Sequence, residues 1–257
     1  MSGLHGKTFI ATCAEDKTQV LKRLLEPKGA RVLSFPLIHI VPAANKLSEI
    51  RKELGKLYSF QWIIFTSTNG VANFFYWLNE LHLSFQASDY KFAVIGKATG
   101  EALVQQGIQP NFTSESTDSV EFATQLQQIL GNESQNILVP TGNLASNNLE
   151  KVLGKQHQMN YLVVYKTETS AAIDKAISAQ IEAAAYDLIF FLSPSAVNAF
   201  VSIFQPKIAV STIQSVAIGK VTRKAMEQEG IEPKFVPSLP NLELMVEELE
   251  HYYKNNS

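Results

Sequence analysis

The sequence predicts an α/β protein with parallel sheets, built in two similar halves. Three observations predict it. Short, wholly apolar runs of strand length alternate with helix-period stretches along the chain. Strands that lack polar alternation belong in parallel sheets covered on both faces. The chain also resembles itself: "FAVIGKATGEALVQQGIQPNF" (92–112) and "SVAIGKVTRKAMEQEGIEPKF" (215–235) align without a gap as strand, Ile-Gly-Lys-x-Thr, helix and Gly-Ile-x-Pro.

Taken in order, "KTFIAT" (7–12) reads as a strand, and 16–27 reads as a helix with Val20, Leu21, Leu24 and Leu25 on one face. Pro27-Lys28-Gly29 ends that helix. "ARVLSFPLI" (30–38) is the next strand, followed by a helix over 46–57 and the strand "QWIIFTS" (61–67). Val71, Phe74, Phe75 and Leu78 carry the helical spacing of the segment that follows. A strand at 92–95, a helix at 97–106, a strand near 110 and a helix at 118–130 continue the alternation. "NILVP" (136–140), a helix at 145–154 and the strand "YLVVYKT" (161–167) come next. The last part reads as helix 171–184, strand "DLIFFLS", helix 195–204, strand "SVAIG", helix 220–229, strand "PKFVP" and helix 240–253. Roughly ten strands arise, and the repeat favours two sheets of about five over a single sheet.

The repeat extends beyond the opening pair. "FTSTNGVANFF" (65–75) resembles "FLSPSAVNAF" (191–200), and "STDSVEFATQL" (116–126) resembles "LPNLELMVEEL" (239–249). The leading strand-loop-helix-strand at 8–38 likewise matches 136–166. Two plain tandem domains fit this order. An arrangement in which the first strands pair with the last repeat, the middle forming an inserted domain, fits as well.

Composition narrows the function. Charged residues make up 18% of the 257-residue chain, the formal net charge is −2, and no basic tract stands out, so a nucleic-acid partner is not expected. The single cysteine, Cys13, excludes an intramolecular disulfide and a multi-cysteine metal site. Five scattered histidines lack ligand spacing, so no metal is expected. "MSGLHGKTFIATCAE" has no basic-then-apolar leader pattern and no apolar run approaches a membrane span. A cytoplasmic protein without a membrane partner is the expectation.

The candidate site residues follow from the repeat. Small polar residues stand just after a strand in each copy: Thr66, Ser67, Thr68, Asn69 and Gly70 in one, Ser193 and Ser195 in the other. At the next strand end each copy carries Gly-Lys-x-Thr, as Gly96, Lys97 and Thr99, and as Gly219, Lys220 and Thr222. In open α/β sheets ligands sit beyond the carboxyl ends of strands, where helix N-termini favour anions. The same serines and threonines also read as helix N-caps. As a set they suggest two rims facing a cleft suited to a polyanionic small molecule. Neither Gly-Lys pair has P-loop or dinucleotide-binding spacing. No nucleophile elbow or zinc-protease motif is present. Tyr165, at the end of a very apolar strand, reads equally as a core residue or as a polar group of the cleft.

At these residues the chain resembles a known family. F-T-S-x-N-G-V (65–71), V-I-G-K-x-T (94–99), V-x-Y-x-T (163–167), F-x-S-P-S-A-V (191–197), A-I-G-K-x-T (217–222) and S-x-P (238–240), in that order, are similar to uroporphyrinogen-III synthases. The resemblance covers nearly the whole chain. It implies two flavodoxin-like domains: a discontinuous one of 1–38 plus 168–257, and an inserted one of 41–165, joined by a two-stranded linker. It implies cofactor-independent conversion of hydroxymethylbilane, a linear tetrapyrrole octacarboxylate, to uroporphyrinogen III with inversion of ring D and loss of water. It implies a monomer. Tyr165 would assist the leaving hydroxyl, Thr99 and Thr222 would line the cleft, and Ser67 and Ser193 with nearby amides would hold carboxylates. This sequence departs from many members in having Lys17 as the nearest base after the first strand and Thr141 where arginine is common.

Overall fold

The computed structural model describes residues 3–115 and 118–255, so Ser116 and Thr117 at the head of the repeat segment 116–126 lie outside the described residues. In chain order the elements begin β1 (Thr8–Ala11), α1 (Glu15–Leu25), β2 (Arg31–Ser34), β3 (Ile38–Pro42), α2 (Leu47–Leu54), β4 (Trp62–Phe65) and α3 (Thr68–Glu80). They continue β5 (Lys91–Ile95), α4 (Lys97–Gln105), β6 (Phe112–Ser114), α5 (Ser119–Leu130), β7 (Asn136–Gly142), α6 (Glu150–Leu153) and β8 (Gln158–Thr169). The last are α7 (Lys175–Glu182), β9 (Leu188–Phe191), α8 (Pro194–Phe204), β10 (Ser215–Ala217), α9 (Lys220–Gln228) and α10 (Leu242–Asn255). Two compact units result, Met1–His39 with Glu168–Ser257, and Ile40–Thr167.

In the discontinuous unit the sheet order is β10-β9-β1-β2 and the ladders are parallel. Its central strand β9, Leu-Ile-Phe-Phe, is wholly apolar and buried because both faces of the sheet are covered. Ile10, Ile189 and Phe191 pack with Ile177, Ile181, Phe200 and Met226 of α7, α8 and α9. Phe9, Ala11 and Phe190 face the other way, onto Leu21 and Leu25 of α1 and Met245 and Leu249 of α10. Thr12, fully buried past the end of β1, donates its hydroxyl to the Phe190 carbonyl at 2.7 Å, which keeps a polar side chain satisfied inside the core.

In the contiguous unit the sheet order is β3-β8-β7-β4-β5-β6. Parallel ladders join β8 to β7, β7 to β4, β4 to β5 and β5 to β6. One face carries α2, α3 and α4 over Ile63, Phe65, Val94, Leu138 and Leu162. The opposite face carries α5 and α6 over Trp62, Ile64, Ala93, Ile137 and Val139.

The parallel α/β class is what the sequence predicts, with differences in detail. The expected strand 30–38 is two strands, β2 and β3, in different sheets. Pro36 lies between them and has no N–H to continue a ladder. The expected strand 233–237 is reduced to a single bridge, Val216 to Phe235, because Pro233 and Pro237 flank it. The expected helix 145–154 shrinks to the single turn of α6. Ser146, Asn147 and Asn148 favour turns over helix interiors, and no apolar repeat precedes Leu149. The sheets therefore hold four and six strands in place of five and five.

Candidate active site

The contiguous unit assembles one group of candidates at the C-terminal ends of β4, β7 and β8. Ser67 leaves β4 in an extended conformation and caps α3, its hydroxyl accepting the Gly70 N–H at 3.0 Å. The same oxygen lies 3.3 Å from the Tyr165 hydroxyl, so a cap and a phenol 98 residues apart in sequence share one hydrogen bond. Gly70 lets α3 lie close to the sheet, since a Cβ there would stand 2.9 Å from the Pro140 carbonyl oxygen. Asn69 is half-buried and its carbonyl accepts from the Asn73 side chain at 3.0 Å. Thr66, one residue past β4, opens onto the other face of the sheet.

A bulge sets the direction of Tyr165. Thr141 pairs with Val163 but Gly142 pairs with Tyr165, so Val164 is skipped. Tyr161 packs against the α5 and α6 cluster, whereas Tyr165 packs against the α3 cluster. Residues four apart in a regular strand share a face, and the extra residue accounts for the reversal. Past the bulge, Asn143 restores the ladder: its N–H donates to the Tyr165 carbonyl at 3.2 Å and its side-chain oxygen accepts the Thr167 N–H at 2.8 Å. Gly142 makes room for the phenol, because a Cβ there would lie 2.5 Å from the ring.

Gly96, Lys97 and Thr99 open α4 in the same unit. Gly96 sits at φ 78°, which favours glycine, and its N–H donates to the Ser114 carbonyl at 2.8 Å. Lys97 extends into solvent 3.7 Å from Glu101. Thr99 is buried in the first turn of the helix. The bonds of Gly96 and Lys97 thus run to β6 and along α4, away from the Ser67–Tyr165 pair.

The discontinuous unit holds the second group. Ser193 caps α8 by accepting the Ala196 N–H at 3.3 Å, and its hydroxyl lies 3.0 Å from that of Ser195. Gly219 precedes α9 in extended backbone. Here it is close approach that favours glycine, since a Cβ would meet Pro240 at 3.1 Å. Lys220 is exposed and Thr222 is buried. The two Gly-Lys-x-Thr motifs thus use glycine for different physical reasons.

Sequence reading singled out neither Gly142, which borders the Tyr165 ring, nor Trp77, which donates to the Val164 carbonyl, nor Tyr161. In sequence Tyr161 is only the first residue of the strand expected at 161–167; in the structure its hydroxyl is buried with no hydrogen-bond partner of regular geometry among the described residues. Burial pushes that phenol up to about 12, partly offset by the nearby Glu150 backbone N–H and raised further by the Glu150 charge. No group of three or more potential metal ligands occurs among the described residues.

The sequence profile described as uroporphyrinogen-III synthase HemD matches residues 19–247. The chain belongs to the uroporphyrinogen-III synthase family. It is 25% identical over 243 residues to a putative uroporphyrinogen-III synthase of Methanocaldococcus jannaschii, covering 93% of this chain and 95% of that one. It is 24% identical over 230 residues to the porphyrin biosynthesis protein HemD of Ruminiclostridium josui, covering 89% of this chain but spanning only 45% of that longer relative. A crystal structure of a mutant uroporphyrinogen III synthase from Thermus thermophilus superposes with a TM-score of 0.71 at 17% identity, covering 98% of this chain and 100% of the other. The Helicobacter pylori uroporphyrinogen-III synthetase structure gives 0.62 at 15% identity, covering 96% and 99%. Those two synthase structures share the fold of this family member.

Proposed function

We propose that this chain is a uroporphyrinogen-III synthase, closing hydroxymethylbilane to uroporphyrinogen III with inversion of ring D and loss of water. Family membership supports the reaction, and the hydrogen bond between Ser67 and Tyr165 supports the way it is assisted. The departing hydroxyl of the bilane needs a proton, which Tyr165 supplies as general acid. The adjacent pyrrole nitrogen pushes electrons out and leaves an azafulvenium cation, its N–H retained. The substituted carbon of ring D then attacks the exocyclic carbon, giving a spiro centre that fragments and recloses inverted. The proton finally lost from carbon returns to the Tyr165 oxygen, so the net change is loss of one water. Ser67 already accepts the Gly70 N–H, which leaves its own proton available to stabilise the transient phenolate.

Since the pyrroles supply the electrons, the protein's share is positioning and proton transfer, and no cofactor enters the scheme. The substrate carboxylates call for many donors. In this reading Thr66, Ser67, Asn69, Gly70, Gly96, Lys97 and Thr99 serve in the domain 41–165. Ser193, Ser195, Gly219, Lys220 and Thr222 serve in the domain 1–38 plus 168–257. A cytoplasmic monomer completes the same reading.

The test is a coupled assay in which hydroxymethylbilane is generated in place and the oxidised porphyrin isomers are separated. Predominant isomer III is the expected result. Isomer I alone, from folded protein, would overturn the reading in favour of an inactive relative.

A further inference from the structure

The Ser67–Tyr165 pair occupies one face of the contiguous unit's sheet. On the opposite face lies a cavity of about 190 Å³. Thr66, Ser119, Thr141, Ser146, Leu149 and Tyr161 are among its lining residues. Its polar side chains are all hydroxyls, and no acidic residue contributes to the lining. Thr141 is buried, and the Tyr161 hydroxyl is buried without a regular partner, although buried phenols nearly always find one. The neighbouring carboxylate, Glu150, is exposed and lies against Gly154 at the other end of α6. A site that presents several hydroxyl donors, has no acidic residue in its lining and leaves the Tyr161 hydroxyl proton without an acceptor of regular geometry fits a small acceptor. A propionate arm takes on the order of 100 Å³, scaling from about 30 Å³ per water in the liquid, which the cavity accommodates.

We propose that this cavity is a subsite for one carboxylate arm of the substrate, held by uncharged hydroxyl donors with Tyr161 at its base. The proposal rests on the synthase reading above. Because burial keeps the phenol protonated far above neutral pH, Tyr161 remains a donor toward a carboxylate under all working conditions. Thr66 places the subsite next to the chemistry, since it directly precedes the Ser67 that contacts Tyr165. Binding an arm here would fix the register of one pyrrole relative to the proton donor.

The experiment has two arms. Steady-state kinetics of Tyr161→Phe in the coupled assay should show KM for hydroxymethylbilane raised about tenfold with kcat within about twofold of wild type. The melting temperature should be unchanged or higher, because the variant deletes an unmet hydroxyl. Thr141→Val, a near-isosteric change, should raise KM in the same way and serves if Tyr161→Phe fails to fold. In the second arm, protein labelled with ¹³C at tyrosine Cζ is titrated with sodium propionate and with uroporphyrin I. The resonance missing from Tyr161→Phe should move in both titrations. Unmoved resonance together with unchanged KM, from enzyme that makes isomer III, would overturn the subsite and leave a water-filled cavity. A moving resonance in protein that makes no isomer III would uphold carboxylate binding while the synthase reading fails.

Discussion

Trp77 donates its indole N–H to the carbonyl oxygen of Val164 at 2.7 Å. Val164 is the residue skipped where β7 pairs with β8, and it directly precedes Tyr165. The Ala43 N–H donates to the same oxygen at 3.1 Å, so both acceptor positions of the bulge carbonyl are engaged. A single carbonyl thereby ties α3, whose N-cap contacts the Tyr165 hydroxyl, to the backbone that aims Tyr165.

Trp77→Phe keeps an aromatic ring in the core and removes only the donor and some volume. The lost hydrogen bond costs about 1 kcal/mol, a drop of roughly 2–4 °C in Tm for a chain of this size. If the bond positions Tyr165, kcat falls more than KM rises. A lower Tm with kinetics unchanged would reduce Trp77 to a structural role.

Tyr165→Phe removes the proposed acid and leaves the Ser67 cap on Gly70 intact. Turnover should fall by about 10²–10⁴, the usual worth of general acid catalysis, with KM little changed. The fraction of isomer I should rise as spontaneous closure competes. Turnover equal to wild type would remove Tyr165 from the mechanism.

The glycines separate space from conformation. Gly142→Ala puts a methyl 2.5 Å from the Tyr165 ring, which must swing aside. Strong loss of activity is expected, with about 1–3 kcal/mol of destabilisation from overpacking. Gly96→Ala meets nothing within 4 Å but must adopt φ 78° with ψ 152°, a region almost confined to glycine, so about 1–3 kcal/mol is expected with no steric effect on Tyr165. Chemical denaturation of both variants beside their isomer yields would read the two effects apart.

Alkaline pH should destabilise the fold before it titrates the buried phenols. Burial raises Tyr161 to about 12 and also raises Tyr186 and Tyr253 above the ordinary 10.0. Below that ordinary value both folded and unfolded chains hold these protons, and the groups add no pH dependence. Above it the unfolded chain ionises first, so their contribution is lost as pH rises from 10 toward 12. Melting temperatures across this range should fall, and phenolate absorbance from these groups should appear only with unfolding. Tyr161→Phe should flatten the fall.

Much of the architecture is legible because burial on two faces writes itself as uninterrupted apolar runs. "WIIF" and "LIFF" need no partner to be recognised as central strands. Helix starts are equally visible where a serine follows such a run, as at Ser67 and Ser193. The bulge at Val164 leaves no mark, because Val163 and Val164 suit a strand whether or not one is skipped. The face on which Tyr161 and Tyr165 lie is therefore beyond alternation rules. The glycines of the two Gly-Lys-x-Thr motifs look identical in sequence, and only backbone angles and the proximity of Pro240 distinguish them. The Ser67–Tyr165 contact joins residues brought together solely by strand order.

The division of the chain also has a consequence during synthesis. β1 pairs with β9, the Asp187 carboxylate takes the Thr8 N–H, and 179 residues separate those two partners. At about 5–20 residues per second of translation, the apolar "TFIA" strand waits on the order of 10–40 s for its neighbour. Residues 40–167 are contiguous and need no later partner for their sheet beyond the end of β8. The middle of the nascent chain can therefore fold while its first strand is still held open. Order of emergence from the ribosome runs opposite to order of completion, and chaperone capture should centre on the N-terminal segment.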